Sequence, residues 1–357
     1  MRYRLAANQD KSFQGSIVLG MGFVLTPEEA QALIAKDPRN KDVLFPYLNG
    51  EDLNSRPYQH ASRWVINFFD WPLDAEHDDP KKPKRPPYAT DYPDCLAIVR
   101  EKVKHEREDL RDTPDGRRLK QRWWQFCRTR TELYSAITEM ERVLVFAQTS
   151  KTKCPTFVTN GIVYDQKVVV IASNKSCLFS ILCSHIHYWW VLAQGCSLRT
   201  DAVYTPTDCF ETFPLPLLTS NLNEIGERYY THRQSIMQTR QEGLTKTYNR
   251  FHNLDENATD IQKMRELHVE MDNAVAAAYG WTDLDLGHGF HETKQGLRYT
   301  ISEAARREVL DRLLQLNHQR YVEEVAAGLR DKGKKKGKAG SSKTAEVKAS
   351  PGQVNFF

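Results

Sequence analysis

Arg199, Thr200, Asp201 and Tyr204 stand close together in the stretch SLRTDAVYTP. Side chains of these types can read base edges in a DNA groove. A guanidinium makes two hydrogen bonds to guanine, a carboxylate accepts from the cytosine amine, and hydroxyls bond either way. Arg199 and Asp201 could instead pair with each other and merely hold the loop. Upstream, Asn174 with Lys175 and Lys151 with Lys153 offer an amide and ammonium groups, which suit phosphate contacts. Arg122 and Arg128 flank an aromatic run of Trp123, Trp124 and Phe126. Residues 81 to 130 hold fifteen Lys/Arg against eight Asp/Glu. That surplus reads either as a face that follows phosphates or as solvated helices anchored by their tryptophans.

Signatures of catalysis are sparse. The sequence has no GxGxxG loop, and no GxxxxGK followed by Ser or Thr, for a nucleotide. It also has no Asn-Pro-Pro-Tyr or Asp-Pro-Pro-Tyr tetrapeptide. KRPPYAT comes near, but Arg85 stands where an acceptor for a target amine is needed, and arginine accepts nothing. Asp285, Glu292 and Lys294 imitate a metal-nuclease triad, whose last two members belong on a strand in a packed sheet. Here they fall in what reads as a Gly-rich loop between helices. His185 and His187 are two apart on a helix, so they point to different faces and cannot share one ion. They read as packing and surface residues. The segment GMG at Gly20 to Gly22 reads as a strand kink rather than a cofactor loop. The residues thus predict no catalytic group, metal site or cofactor site in this chain.

The recognition candidates need a rigid base, and the sequence before them supplies one. Val168 to Ile171 is a β-branched apolar run, the pattern of a strand buried on both faces. Ser173 and Asn174 carry helix N-cap chemistry. Leu178, Ile181, Leu182, Ile186, Trp189 and Leu192 then recur at helical steps, and Gly195 can end the helix. Further upstream, GSIVLGMGFVLTPEEAQALI predicts a strand and a helix opened by Thr26 and Pro27. FPYLNGEDLNSRP is a turn-rich connector and WVINFFDW a strand, while residues 74 to 94 are too proline-rich for anything but a loop. Cys95 to Met140 is helical, and VLVFAQTSKTKCPTFV and GIVYDQKVVVIAS are strands that complete a mixed sheet. From Asn221 to about Ala278 the pattern is helix throughout, and it resumes from Ser302.

The 357 residues allow two domains, and 40% apolar content allows a sizeable core. Seven cysteines without a CxxC pair, and no signal or membrane-length apolar run, predict a soluble cytoplasmic protein from a reducing compartment. The net charge of +4 resides in the tail. Residues 331 to 357 contribute +5, which leaves about −1 for everything before them, so a nucleic-acid surface must be a local patch. The Lys/Gly/Ser tail has too little apolar surface to order itself.

Taken together, SFQGSIVLGMGFVLT, FPYLNGEDLNSRP, WVINFFDW, RWWQFCRTR and LFSILCSHIHYWWVLAQ…LRTDAVYTPTDCFETFPLP resemble a known region. It is the target-recognition region of large adenine-specific DNA methyltransferases, the MmeI-type (type IIL) restriction–modification enzymes and PglX-like phage-defence relatives. NAVAAAYGW resembles the segment after the recognition region in the same enzymes, so the likeness covers about residues 12 to 325. In that family the S-adenosylmethionine loop and the Asn-Pro-Pro-Tyr tetrapeptide lie in a preceding methyltransferase half. The resemblance implies a chain that recognises double-stranded DNA, does not itself methylate it, and works with a methyltransferase domain or subunit that holds S-adenosylmethionine. No membrane partner is expected. The alternatives are a free-standing DNA-binding specificity or regulatory protein and, further off, a metal-dependent nuclease. The expected architecture is α+β: a mixed-sheet target-recognition domain over 1 to 220, a helical domain over 221 to 330, and a disordered basic tail over 331 to 357.

Overall fold

A computed structural model describes residues 2–77, 87–198 and 201–330. The basic tail and the middle of the proline-rich segment lie outside the described residues. In chain order the first elements are β1 (Ser12–Gln14), β2 (Val24–Leu25), α1 (Pro27–Lys36), β3 (Leu44–Leu48), α2 (Gly50–Ser55) and β4 (Arg63–Ile66). Next come α3 (Pro93–Val99), α4 (His105–Glu108), α5 (Pro114–Gln121), α6 (Thr131–Ile137), β5 (Arg142–Ala147), β6 (Thr156–Thr159), β7 (Val163–Tyr164) and β8 (Val168–Ile171). They are followed by α7 (Ser176–Cys183), α8 (His185–Gln194), β9 (Cys196–Leu198) and β10 (Asp201–Val203). The last are α9 (Ser220–Arg240), α10 (Leu244–Phe251), α11 (Thr259–Ala278), β11 (Gly289–Thr293), β12 (Gly296–Thr300) and α12 (Glu303–Ala326). The class is α+β, with strands of mixed direction.

The central sheet has the order β1-β8-β5-β6 and is antiparallel throughout. A second sheet, β2-β4-β3-β7, takes its one parallel pair from β3 and β7. The continuous apolar run of β8 follows from its place in the middle of the first sheet. Val169 and Ile171 face one core together with Leu144 and Phe146 of β5. Val168 and Val170 face another with Val143 and Val145. Both faces are covered, so alternation with polar residues would leave unpaired polar groups inside.

The first of those cores also contains Leu222 and Ile225 of α9, Met264 and Met271 of α11, and Val309 and Leu313 of α12. It therefore runs without a break from the sheet into the C-terminal helices. The approach of α9 to α7 is close: a Cβ on Gly226 would lie 2.3 Å from the Ser176 carbonyl oxygen. Ser180 seals the contact by donating to the Leu222 carbonyl at 2.7 Å. The N-terminus joins the same unit, with Tyr3 stacked on Tyr321 at 3.9 Å and its amide held by Asn317 at 2.9 Å.

Several elements differ from the sequence expectation, each for a local reason. The helix expected over Leu178 to Leu192 is two helices, bent by 58° at Ser184. Ser184 is extended (ψ 155°), and its hydroxyl donates to Ile181 O at 2.7 Å and accepts from His187 N at 3.3 Å. One serine thus ends α7 and caps α8. At the start of α7 the cap residue is Lys175 rather than Asn174, and the Ser173 hydroxyl accepts from the Lys175 amide at 3.2 Å. The segment RWWQFCRTR is not helical, because α5 stops at Gln121. Trp123, Trp124 and Phe126 are buried there, which is the anchoring reading of that stretch. Asn221 to Ala278 divides into three helices. The segment expected as a loop before α12 carries the antiparallel hairpin β11–β12. No single helix among the described residues is long and apolar enough to cross a membrane.

Candidate nucleic-acid interface

At the end of α8 the Gly195 amide closes the last turn on Val191 O at 2.7 Å, and the chain enters an antiparallel hairpin. In it Val203 pairs with Cys196, Ala202 with Ser197, and Asp201 with Leu198. The expected polar loop is therefore a ribbon. Arg199 and Thr200, which join its strands, lie outside the described residues, as does the side chain of Asp201, whose backbone opens β10.

The base of this hairpin is fixed from three sides. Val203 bridges to Thr149, just beyond β5, and the Tyr204 amide donates to Gln148 O at 2.9 Å. Tyr204 is fully buried, with its ring stacked on Phe146 at 4.2 Å and its hydroxyl 3.4 Å from His187 Nε2. Burial pushes its phenol well above the usual range, so it stays neutral. Tyr204 was expected at a readout position; being inside the core, it serves as the anchor. The third tie is Arg2, whose guanidinium spans the two legs. It donates to Gln194 at 3.0 Å and to Asp208 at 3.2 Å. No local sequence signal points to Arg2, because its partners lie 192 and 206 residues away.

Antiparallel pairing places the end of β5 beside the start of β8, so the hairpin leaves the central sheet at its Ala147–Val168 end. Lys151 and Lys167 are both exposed at that end. Asn54 donates to Thr149 O at 3.4 Å and brings the FPYLNGEDLNSRP connector to the same place. Two adjoining grooves open there, of about 380 Å³ and 300 Å³, and they share Asn49, Glu51 and Asp165. Arg63 and Gln166 line the second groove. Donors and acceptors of both charge signs therefore surround the hairpin base, as base-edge reading requires. Lys167, Asn54, Gln166 and Arg63 were not singled out from the sequence. Of these only Asn54 lies in the FPYLNGEDLNSRP connector, which in isolation reads only as turns; Arg63, Gln166 and Lys167 stand at strand ends and carry no signal of their own.

The remaining candidates do not all gather here. Arg128 does, through paired backbone bonds with Ile17 just beyond β1, and it ion-pairs with Asp115 at 3.4 Å. Arg122 is exposed at the end of α5. Asn174 and Lys175 sit at the opposite end of β8, where Arg142 approaches the Asn174 carbonyl at 3.5 Å. Lys153 is buried with a left-handed backbone (φ 47°), and its depth excludes the expected phosphate contact.

The basic run behind this face is organised by a buried cation. Arg107 donates to the carbonyls of Val18, Leu19, Arg122, Trp123 and Gln125 at 2.7–3.2 Å. Burial lowers its pKa to about 10, which leaves it charged at neutral pH. It holds Leu19 in a left-handed turn (φ 49°), with Leu19 and Met21 exposed beside the second groove.

The nuclease-like triad does not assemble as a packed-sheet site. Glu292 lies on a two-stranded ribbon, Lys294 is in its turn, and the Asp285 carboxylate accepts from Gly287 N at 2.9 Å. His185 and His187 diverge as expected, yet neither is on the surface. His187 meets Leu182 O at 2.9 Å, and burial pushes its pKa down to about 3.

Residues 11–217 match the family model described as MmeI, target recognition domain. A solved structure of the type IIL restriction–modification enzyme MmeI in complex with DNA aligns over 87% of this chain, with a TM-score of 0.57 and 18% identity. The chain spans 36% of that enzyme's length. Comparison with curated proteins finds no match.

Proposed function

The chain belongs to the MmeI target recognition domain family, and from that premise we propose that it reads a specific sequence in double-stranded DNA. In this reading it serves an adenine-specific methyltransferase of a restriction–modification or phage-defence system. An enzyme that modifies a base must extrude it into a pocket, while a separate surface fixes register and sequence. The observation that carries the reading is the pinned β9–β10 hairpin. It falls inside the matched segment and rises from the Ala147–Val168 end of the sheet, where Lys151 and Lys167 lie just outside the strand ends and are exposed. Methyl transfer and S-adenosylmethionine belong to a methyltransferase domain or subunit acting with this chain. Within the chain the work is recognition, in the cytoplasm where the DNA is.

Selection from randomised duplexes with the full chain tests the proposal. The expected outcome is enrichment of one site, bound at least about a thousandfold more tightly than random sequence. Recovery of unenriched DNA, with all affinity lost as salt rises, would refute it. Co-purification of a methyltransferase separates service to an enzyme from a free-standing regulatory role.

A further inference from the structure

At the opposite end of α8 from the β9–β10 hairpin lies a group of side chains that DNA reading does not use. His185 opens α8, Asp272 and His268 lie one turn apart on α11, and His288 stands just before β11. Asp272 Oδ2 is 2.7 Å from His185 Nδ1 and 2.8 Å from His288 Nε2. The three donor atoms lie within 4.8 Å of one another. A tetrahedral ion with bonds of about 2.1 Å spaces its ligands roughly 3.4 Å apart. The observed separations therefore need only a small parting to admit one.

Helix capping explains part of this arrangement, since Asp272 Oδ1 accepts from the His185 amide at 2.8 Å. Two features exceed that role. His268 is buried, yet its Nε2 has no hydrogen-bond partner and sits 3.7 Å from Asp272 Oδ1. Its other nitrogen is held by the Tyr229 hydroxyl at 3.0 Å, as a metal-binding imidazole is commonly oriented from behind. A cavity of about 20 Å³ also borders His185 and His268, enough for one water.

We propose that His185, Asp272 and His288 bind one divalent transition-metal ion of the zinc class, with His268 or a water completing a tetrahedron. Imidazoles with a single carboxylate favour this class over calcium or magnesium. Charge favours it too. Asp272 is fully buried, and an enclosed carboxylate needs a cation. Cys154 borders the same cavity, but its sulfur is engaged by Arg233 at 2.8 Å and by Tyr248 at 3.0 Å. A bound ion would fasten the start of α8, α11 and the segment before β11 at one point.

The test uses the untagged full chain, stripped with chelator and titrated with Co²⁺ and Zn²⁺. Binding of about one Co²⁺ per chain, with the intense visible bands of a tetrahedral ion, supports the site. Zn²⁺ should raise the thermal midpoint by at least about 3 °C. His288→Gln keeps a donor to Asp272 and should weaken Co²⁺ binding by more than the 10–100-fold that loss of an outer partner costs. His268→Gln should change the Co²⁺ spectrum. Failure of the native chain to take up either ion would overturn the proposal, as would unchanged affinity in His288→Gln.

Discussion

Side chains of one type divide by depth. Lys151 and Lys153 are equivalent in sequence, yet one is exposed and the other enclosed. Lys151→Ala should weaken binding to every duplex alike and reduce the salt slope by about one, as seen in binding isotherms at several ionic strengths. Arg199→Ala should instead relax preference at one base position, worth about 1–3 kcal/mol of discrimination, with nonspecific affinity nearly unchanged. If Arg199→Ala lowers the melting temperature and leaves preference intact, Arg199 only braces the hairpin. Tyr204 and Lys153 were misplaced from the sequence because a polar tip says nothing about the depth of the body that carries it. Arg2 could not be found from sequence at all, since its role exists only once the N-terminus meets the hairpin base.

Apolar runs made most elements legible, and their ends were the hard part. β8 was readable because four consecutive β-branched residues suit only a strand covered on both sides. The split between α7 and α8 was hidden, since both halves share one helical period and a single buried serine makes the break. The hairpin β11–β12 was hidden by its glycines, which mark a loop and a tight ribbon alike. The Leu19 turn and the Trp123 segment carry no periodic signal, and one guanidinium orders both. Arg107→Met should therefore cost about 3–5 kcal/mol, measurable as a lowered midpoint in urea, because it strands several buried carbonyls. In a variant that still folds, exposure of Trp123 and Trp124 should red-shift the fluorescence.

Over the whole chain, charge and packing lead to different partitions. Residues 331 to 357 carry +5 against about −1 elsewhere. Their deletion should flatten the salt dependence of DNA binding and leave the selected site unchanged; loss of site preference would move recognition out of the folded part. Packing sets its own boundary. The core that begins on Leu144 and Val169 ends on Val309 and Leu313, and Tyr3 rests on Tyr321. A crossover between two related genes near codon 220 would join a sheet face to helices that never co-varied with it, and most such chimaeras should fail to fold. An exchange confined to the codons of one hairpin leaves that shared interior untouched. New specificities in this lineage are thus more readily inherited as short patches of altered codons than as whole shuffled segments.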